Sequence, residues 1–410
     1  MKAPLVVRLA LRNVTRNVRR SFLTGLSVLL CVSLLILGIS WLNGVLGTIV
    51  SDFIALTGPI RVLHKEFAQR ERLLPIHENV TGVSELRKAL APAAPGGVYP
   101  RITFGAMLLK GEDQNAPGIG RGILVEDGVK NLKIEEHLVA GRMMTSGHDE
   151  VVVGKLVADE LHLEPGDEVT LLGKGATDSI AAANLEVAGI FDAKSGMLNR
   201  AFYLDLAVAQ NILDMDDAAT ELALFGRPLL MRRAIPPAVT AALASRPELV
   251  AQHWLVSGGF GSAFTIIRYV IGTIALIVMF VSGLGVLNTM MMAVMERRTE
   301  LGVLLAQGAP IGFVVGMIVL EALVLGVVGA TGGAVLGSAA AYLLELKGVT
   351  LGDATTRSLP VPVKDVIHAD VNVYIVTAGF VMGLFVSAAG ALIPAVRAVR
   401  IEPAKTLRID

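Results

Sequence analysis

Four long apolar runs dominate the chain, at residues 21–51, 269–295, 311–344 and 373–396. Three carry no charged residue, and the third carries only Glu321. Each exceeds the roughly 20 apolar residues that cross a bilayer. Exposed backbone polar groups are not tolerated in lipid, so all four read as helices. The first two runs are separated by a long stretch of mixed pattern. Segments 98–111, 122–126, 150–154, 167–172 and 184–191 have strand character, rich in Val, Leu and Ile. Segments 83–91, 155–163 and 206–214 have helical spacing. Pro and Gly mark 91–97 and 112–122 as loops, and Pro165-Gly166-Asp167 as a turn.

The pattern predicts a membrane protein with four transmembrane α-helices, arranged one plus three, and a large mixed α/β extracytoplasmic domain inserted between helices 1 and 2. The expected order is a basic amphipathic helix at 1–20, helix 1 at 21–46, the inserted domain at 47–266, with two subdomains, and helix 2 at 267–295. A short charged helix at 296–309, helix 3 at 311–344, a loop at 345–372, helix 4 at 373–396 and a tail at 397–410 complete it. An insert of about 225 residues is long enough for its own core.

Composition agrees with this picture. Hydrophobic residues make up 53% of the chain, mean hydropathy is +0.63 and net charge is zero, so nothing points to nucleic acid. The start resembles a signal peptide, but the run that follows is too long for an h-region and reads as a retained anchor. Lys2, Arg8, Arg12, Arg16, Arg19 and Arg20 precede the first run, and Arg397, Arg400, Lys405 and Arg408 follow the last. The 344–373 loop holds only Lys347, Arg357 and Lys364. By the positive-inside rule both termini are expected in the cytoplasm and the large domain outside. The arginines at 8, 12, 16 and 19 or 20 share a helical face suited to anionic lipid, with a second protein contact as the alternative.

Within the spans, small residues recur at every fourth position: Gly329, Gly333, Gly337 and Ala341, then Gly379, Gly383, Ser387 and Ala391. This spacing lets helix backbones approach closely, within one subunit or across a dimer. Glu321 is the one acid inside a span, and pairing or helix capping explains it better than a proton path. No histidine pairs with another ligand type at helical spacing, so no metal site is expected. No nucleophile–base arrangement emerges, and no G-x-x-x-x-G-K-(S/T) loop is present. No catalytic, cofactor-binding or metal-binding residue is therefore assigned.

The segment 290–309, "MMMAVMERRTELGVLLAQGA", interrupts the apolar sequence with Glu296, Arg297, Arg298 and Glu300. Its periodicity alone suits an interfacial helix that ends a span. Its residue order, however, resembles the E-R-T-x-E-(I/L)-G-x-L-x-A-x-G-A signature of MacB/LolC/LolE/FtsX-type ABC transporter permeases. The tail "IPAVRAVRIEPAKTLR" (393–408) and the segments 140–171 and 187–213 are similar to further stretches of that superfamily, in the same order. The likeness runs through most of the chain and is not specific to one substrate. Two departures stand out: Leu304, Leu305 and Gln307 occupy positions where a basic residue is usual, and Pro310 follows directly.

The resemblance implies that 296–308 is a coupling helix on a cytoplasmic ABC ATPase, with Leu301, Leu304 and Leu305 as apolar contacts and Glu296, Arg297, Arg298 and Glu300 as a polar rim. ATP and Mg would be bound by that ATPase, in two copies, and not by this chain. It implies a bacterial inner-membrane location, with the large domain periplasmic. Pairing with a second permease copy or a paralogue would follow, and the spans would act as a lever. Membrane lipid and a periplasmic or lipoprotein substrate complete the expected partners. Lipoprotein release is the first functional expectation, because "TGPIRVLHKEF" (57–67) is similar to the first external strand of lipoprotein-releasing members. Efflux of peptides or drugs, or regulation of cell-wall hydrolases, are the alternatives.

Overall fold

The computed structural model describes residues 18–111, 113–193, 195–226, 229, 234–256, 260–350, 352 and 366–400. Most of the predicted basic helix at 1–20 and of the tail lies outside them, as does much of the 345–372 loop. The chain divides into two units: residues 1–45, 267–349 and 367–410, and residues 46–266 with 350–366. Each is described by itself.

The membrane unit is built on four long helices: α1 (Val18–Thr57), which continues past the expected end at 46, α8 (Phe260–Glu296), α10 (Ile311–Lys347) and α11 (Val373–Val399). All four are long and apolar enough to cross a membrane. Between α8 and α10 lies the short helix α9 (Arg298–Ala306). Small residues decide how the spans meet. A Cβ on Gly329 would fall 2.5 Å from the Gly25 carbonyl oxygen, and one on Gly333 would fall 2.6 Å from that of Leu29. A Cβ on Gly337 would fall 2.9 Å from the Ser33 backbone, while Gly379 and Gly383 face the side chains of Ile36 and Val32. All five glycines of the every-fourth-residue stripes thus lie against α1, within one chain. The contacts run in register, so α1 is parallel to α10 and antiparallel to α11. Polar contacts tie α1 to α8: Thr24 Oγ1 to Thr289 Oγ1 at 2.9 Å, and Ser282 Oγ donating to the Ser27 carbonyl at 3.3 Å. In lipid such contacts add to close packing where burial of apolar surface gives no net drive.

The external unit is built on one branched sheet. Its strands are β1 (Ile60–His64), β3 (Gly97–Lys110), β4 (Gln114–Ile123), β5 (Leu138–Gly141), β6 (Glu150–Gly154), β7 (Glu168–Lys174), β8 (Ile180–Phe191), β9 (Ala201–Asp205), β11 (Glu221–Phe225) and β12 (Leu249–His253), while β2 (Val80–Thr81) and β10 (Ala218–Ala219) form a separate pair. Six strands close on themselves in the ring β3-β4-β9-β6-β8-β7-β3. From β3 the sheet branches through β11 and β1 to β12, and from β8 to β5.

Alternation fills the ring. Ile102, Phe104, Leu108, Val151, Val153, Val169, Leu171, Phe202 and Leu204 are buried in one apolar cluster. Here the structure corrects the loop expected at 112–122, which is mostly β4. Gly118, Gly120 and Gly122 sit on one face of that strand, and a Cβ on Gly120 would meet the Phe104 ring at 2.3 Å. The glycines leave room for Phe104 and Phe202, which pack edge to face at 6.0 Å. The strand expected at 122–126 is the end of β4 followed by helix α4 (Val125–Lys130).

Candidate functional site

Four charged side chains from four elements converge at one end of the membrane unit. Arg20, near the start of α1, donates to Glu296 at the end of α8 (3.1 Å) and to Glu321 in α10 (3.1 Å). Arg297, at the junction of α8 and α9, donates to the other oxygen of Glu321 at 3.1 Å. The Glu321 side chain is 3% exposed and that of Arg297 is 9% exposed. An acid in a span is costly unless paired, and two guanidinium groups share this one.

The chain folds into this corner for local reasons. The helix breaks at Arg297, whose backbone leaves the helical region (φ −103°, ψ 19°), and restarts as α9. After α9 comes Gly308 in the left-handed region (φ 86°), and Pro310 then caps the entry to α10. The expected short helix at 296–309 is therefore narrower, with Glu296 belonging to the long helix α8.

Among the coupling residues expected from the sequence, the structure separates two faces. Leu301 is 3% exposed and packs in the apolar cluster of the membrane unit with Val294, Val314 and Met317, and Leu305 packs against the same cluster. Arg297 is bound to Glu321. Arg297 and Leu301 thus turn inward within the chain, away from the exposed face of α9. Arg298 and Leu304 are half-buried. The outward face of α9 is Thr299, Glu300, Val303 and Ala306, with Val303 its exposed large apolar residue and exposed Gln307 just beyond its end. Sequence periodicity shows that α9 has two faces but not which one its own chain covers.

The external unit holds a second buried arginine system that sequence reasoning missed. Arg101 on β3 donates from Nε to Asp127 Oδ2 (2.6 Å) and from Nη2 to Asp127 Oδ1 (2.9 Å). Its Nη1 donates to the carbonyls of Ala55 and Leu56, in the last turn of α1. One planar fork thus binds a carboxylate on one edge and a helix C-terminus on the other, a geometry arginine offers and lysine does not. Burial disfavours the Arg101 charge, but Asp127 outweighs that and holds the guanidinium above its ordinary value. Nearby, Arg61 on β1 is also buried and bonds Glu71 (2.5 and 2.7 Å) and Glu221 (3.2 Å). The alternating pattern around 101 marked a strand, but nothing in it marked a charge turned inward. No group of three or more His, Cys, Asp or Glu residues arranged to hold a metal is found among the described residues.

This combination, an extramembrane α/β domain inserted after the first of four spans and a short helix between the second and third, defines a class of polytopic permease subunit. The chain belongs to the MacB/FtsX-type ABC transporter permease superfamily: residues 21–246 match the MacB-like periplasmic core domain and residues 272–403 match the FtsX-like permease C-terminal family. It is 26% identical over 155 residues to the uncharacterized ABC transporter permease YknZ of Bacillus subtilis, a match covering 38% of this chain and 35% of that protein. It is 37% identical over 82 residues to the macrolide export ATP-binding/permease protein MacB of Brucella abortus, covering 20% of this chain and 13% of that one. A pyoverdine export ATP-binding/permease protein, PvdT of Pseudomonas savastanoi, is 43% identical over 77 residues, 18% of this chain and 12% of the relative. The chain thus spans well under two thirds of these relatives. Among solved structures, the periplasmic region of MacB from Actinobacillus actinomycetemcomitans aligns at a TM-score of 0.35 and 12% identity, over 52% of this chain and 95% of that one.

Proposed function

We propose that the chain is the membrane subunit of a mechanotransmission ABC transporter, in which α9 is the handle on a nucleotide-binding partner and the spans carry movement to the external domain. The observation that carries this reading is the attachment of α9. Its inner face is locked to α1 and α10 through Arg297, Glu321 and Arg20, and to the apolar cluster through Leu301. A push on its outer face is therefore delivered to α1, which runs unbroken from Val18 to Thr57. The spans offer no charged pathway beyond the paired Glu321, which favours a lever over a conduit.

In this reading ATP and Mg are bound by the partner ATPase, the complex is a pair of permease subunits with two ATPases, and α9 faces the cytoplasm of a bacterial inner membrane. The substrate is met outside the cytoplasm. Export of a small amphiphilic compound is the reading we favour, supported by the likeness to the macrolide exporter MacB and the pyoverdine exporter PvdT. Lipoprotein release is the second reading, supported by the likeness of 57–67 to the first external strand of lipoprotein-releasing members; that strand is β1, whose Ile60, Val62 and Leu63 are buried in the external unit.

The test is to label Glu300→Cys in intact cells with a membrane-impermeant maleimide, beside pull-down of the ATPase. Labelling only after the membrane is opened, together with ATPase capture that Val303→Asp weakens at least tenfold, is the expected result. Labelling from outside overturns the orientation, and undiminished capture by Val303→Asp overturns the docking face.

A further inference from the structure

Between α1 and α10 runs an open groove of about 450 Å³ within the membrane unit. Phe22, Leu26 and Leu29 form one wall, Leu325 and Val328 the other, and Gly25 and Gly329 the floor. The groove exists because the two floor glycines bring the backbones together. A Cβ on Gly329 would strike the Gly25 carbonyl, whereas one on Gly25 would meet nothing within 4 Å. Gly25 therefore faces the hollow. Phe22 and Val328 stand 64% and 66% exposed on either side.

From Val18 to Leu29 the groove is about 17 Å long at roughly 1.5 Å per residue. That is close to half of a hydrocarbon core about 30 Å thick, the depth of one leaflet. The charge at its mouth is one-sided. Arg19, exposed, lies three residues before Phe22 and so continues the wall of Phe22, Leu26 and Leu29 by one helical turn. No acidic residue occurs in the sequence before Asp52. Two acids at this end on other helices, Glu296 and Glu321, are both bound to Arg20.

We propose that this groove is a binding site for an anionic phospholipid of the leaflet where α1 begins, with one acyl chain along Gly25 and Gly329 and the phosphate at Arg19. Apolar length sets the fit of the tail, and the guanidinium selects the charge of the head. The site rests on α1 and α10 spanning the bilayer and is independent of ATPase docking.

The test uses the full chain in vesicles without nucleotide or partner, with Phe22→Trp as reporter. The unmodified chain, carrying Trp41 and Trp254, sets the background. Lipid brominated on its acyl chains is added as phosphatidylglycerol or as phosphatidylcholine at equal mole fraction. The expected result is at least threefold stronger quenching by phosphatidylglycerol. Arg19→Gln should equalise the two lipids, and Gly25→Leu, which fills the hollow, should remove the excess. Val328→Trp reports from the opposite wall should Phe22→Trp fold poorly. Equal quenching by both lipids in the Arg19-containing chain overturns the proposal, as does quenching unchanged by Gly25→Leu. A disulfide between copies carrying Phe22→Cys, with quenching lost, would place a second copy in the groove and overturn it equally. Failure of Val303→Asp to affect ATPase capture would leave these readouts untouched, so the two readings fail separately.

Discussion

Arg20 Nη2 and Glu321 Oε1 lie 3.1 Å apart, joined across 301 positions of sequence. With Arg297 on the other oxygen, Glu321 fastens the start of the first span and the start of α9 to the third span.

Removing the charge of Glu321 should loosen all three. Breaking a buried pair by deleting one partner costs about 3–5 kcal/mol, because the remaining charges stay buried. Glu321→Gln is expected to lower the unfolding midpoint of the purified protein and to reduce ATP-driven transport more than ATPase binding. A double-mutant cycle with Arg297→Gln should show coupling of about 1–3 kcal/mol. Additive losses would mean that the two residues do not act on each other.

The two faces of α9 should respond differently to the same substitution. Leu301→Asp puts a charge into the apolar cluster of the membrane unit and should destabilise the protein by several kcal/mol. Val303→Asp sits on the outer face and should leave the unfolding midpoint within about 2 °C, since exposed substitutions are worth about 0.5 kcal/mol or less. It should nonetheless weaken capture of the ATPase at least tenfold. Thermal unfolding and pull-down, run side by side, distinguish the two.

Arg101 should tolerate no substitute. Lysine keeps the charge but cannot bind Asp127 with two nitrogens while capping Ala55 and Leu56 with a third. Arg101→Lys is expected to cost about 2–4 kcal/mol and Arg101→Gln about 3–5 kcal/mol in denaturant unfolding. A lysine variant as stable as the parent would mean that the bonds to α1 contribute nothing.

Acid should weaken the external domain through Glu150. Arg142 donates to both its oxygens (2.5 and 2.8 Å) and the Thr145 amide adds a third bond at 2.8 Å. Against the opposing effect of burial, these bonds lower its carboxyl from the ordinary 4.5 to about 2. The depressed value means that the folded state binds the proton less readily than the unfolded one. The stabilisation is therefore complete above pH 4.5 and lost as pH falls toward 2. Glu150→Gln should flatten the stability profile across that window, followed by unfolding at fixed urea.

Much of the membrane layout was legible because apolar runs of this length with at most one charge permit few structures. The inserted domain was harder. Residues 112–122 carry Pro117 and three alternating glycines, the composition of a loop, yet they form β4 because Phe104 and Phe202 need the space those glycines leave. Here a packing demand from residues distant in sequence overrode local preference. The inward turn of Arg297 and Leu301 was hidden for a related reason: their partners, Glu321 and Val314, follow a turn later in the chain and come close only once α10 folds back. Arg101 was missed because strand alternation predicts a face, not that a carboxylate and a helix end will be waiting there.

The ring β3-β4-β9-β6-β8-β7 has one further consequence. A closed circuit of strands leaves little free rim on which another chain can lay its backbone, confined here to residues 114–118 of β4 and 180–185 of β8, and the two branches leaving the ring cover further stretches of β3 and β8. Among the described strands of this sheet, only β12 and β5 end a ladder, and they are five and four residues long. Such short borders discourage uncontrolled strand-to-strand stacking in a crowded envelope. They also press any companion protein that recognises this domain to read mostly its side chains, because little backbone is left open to pairing.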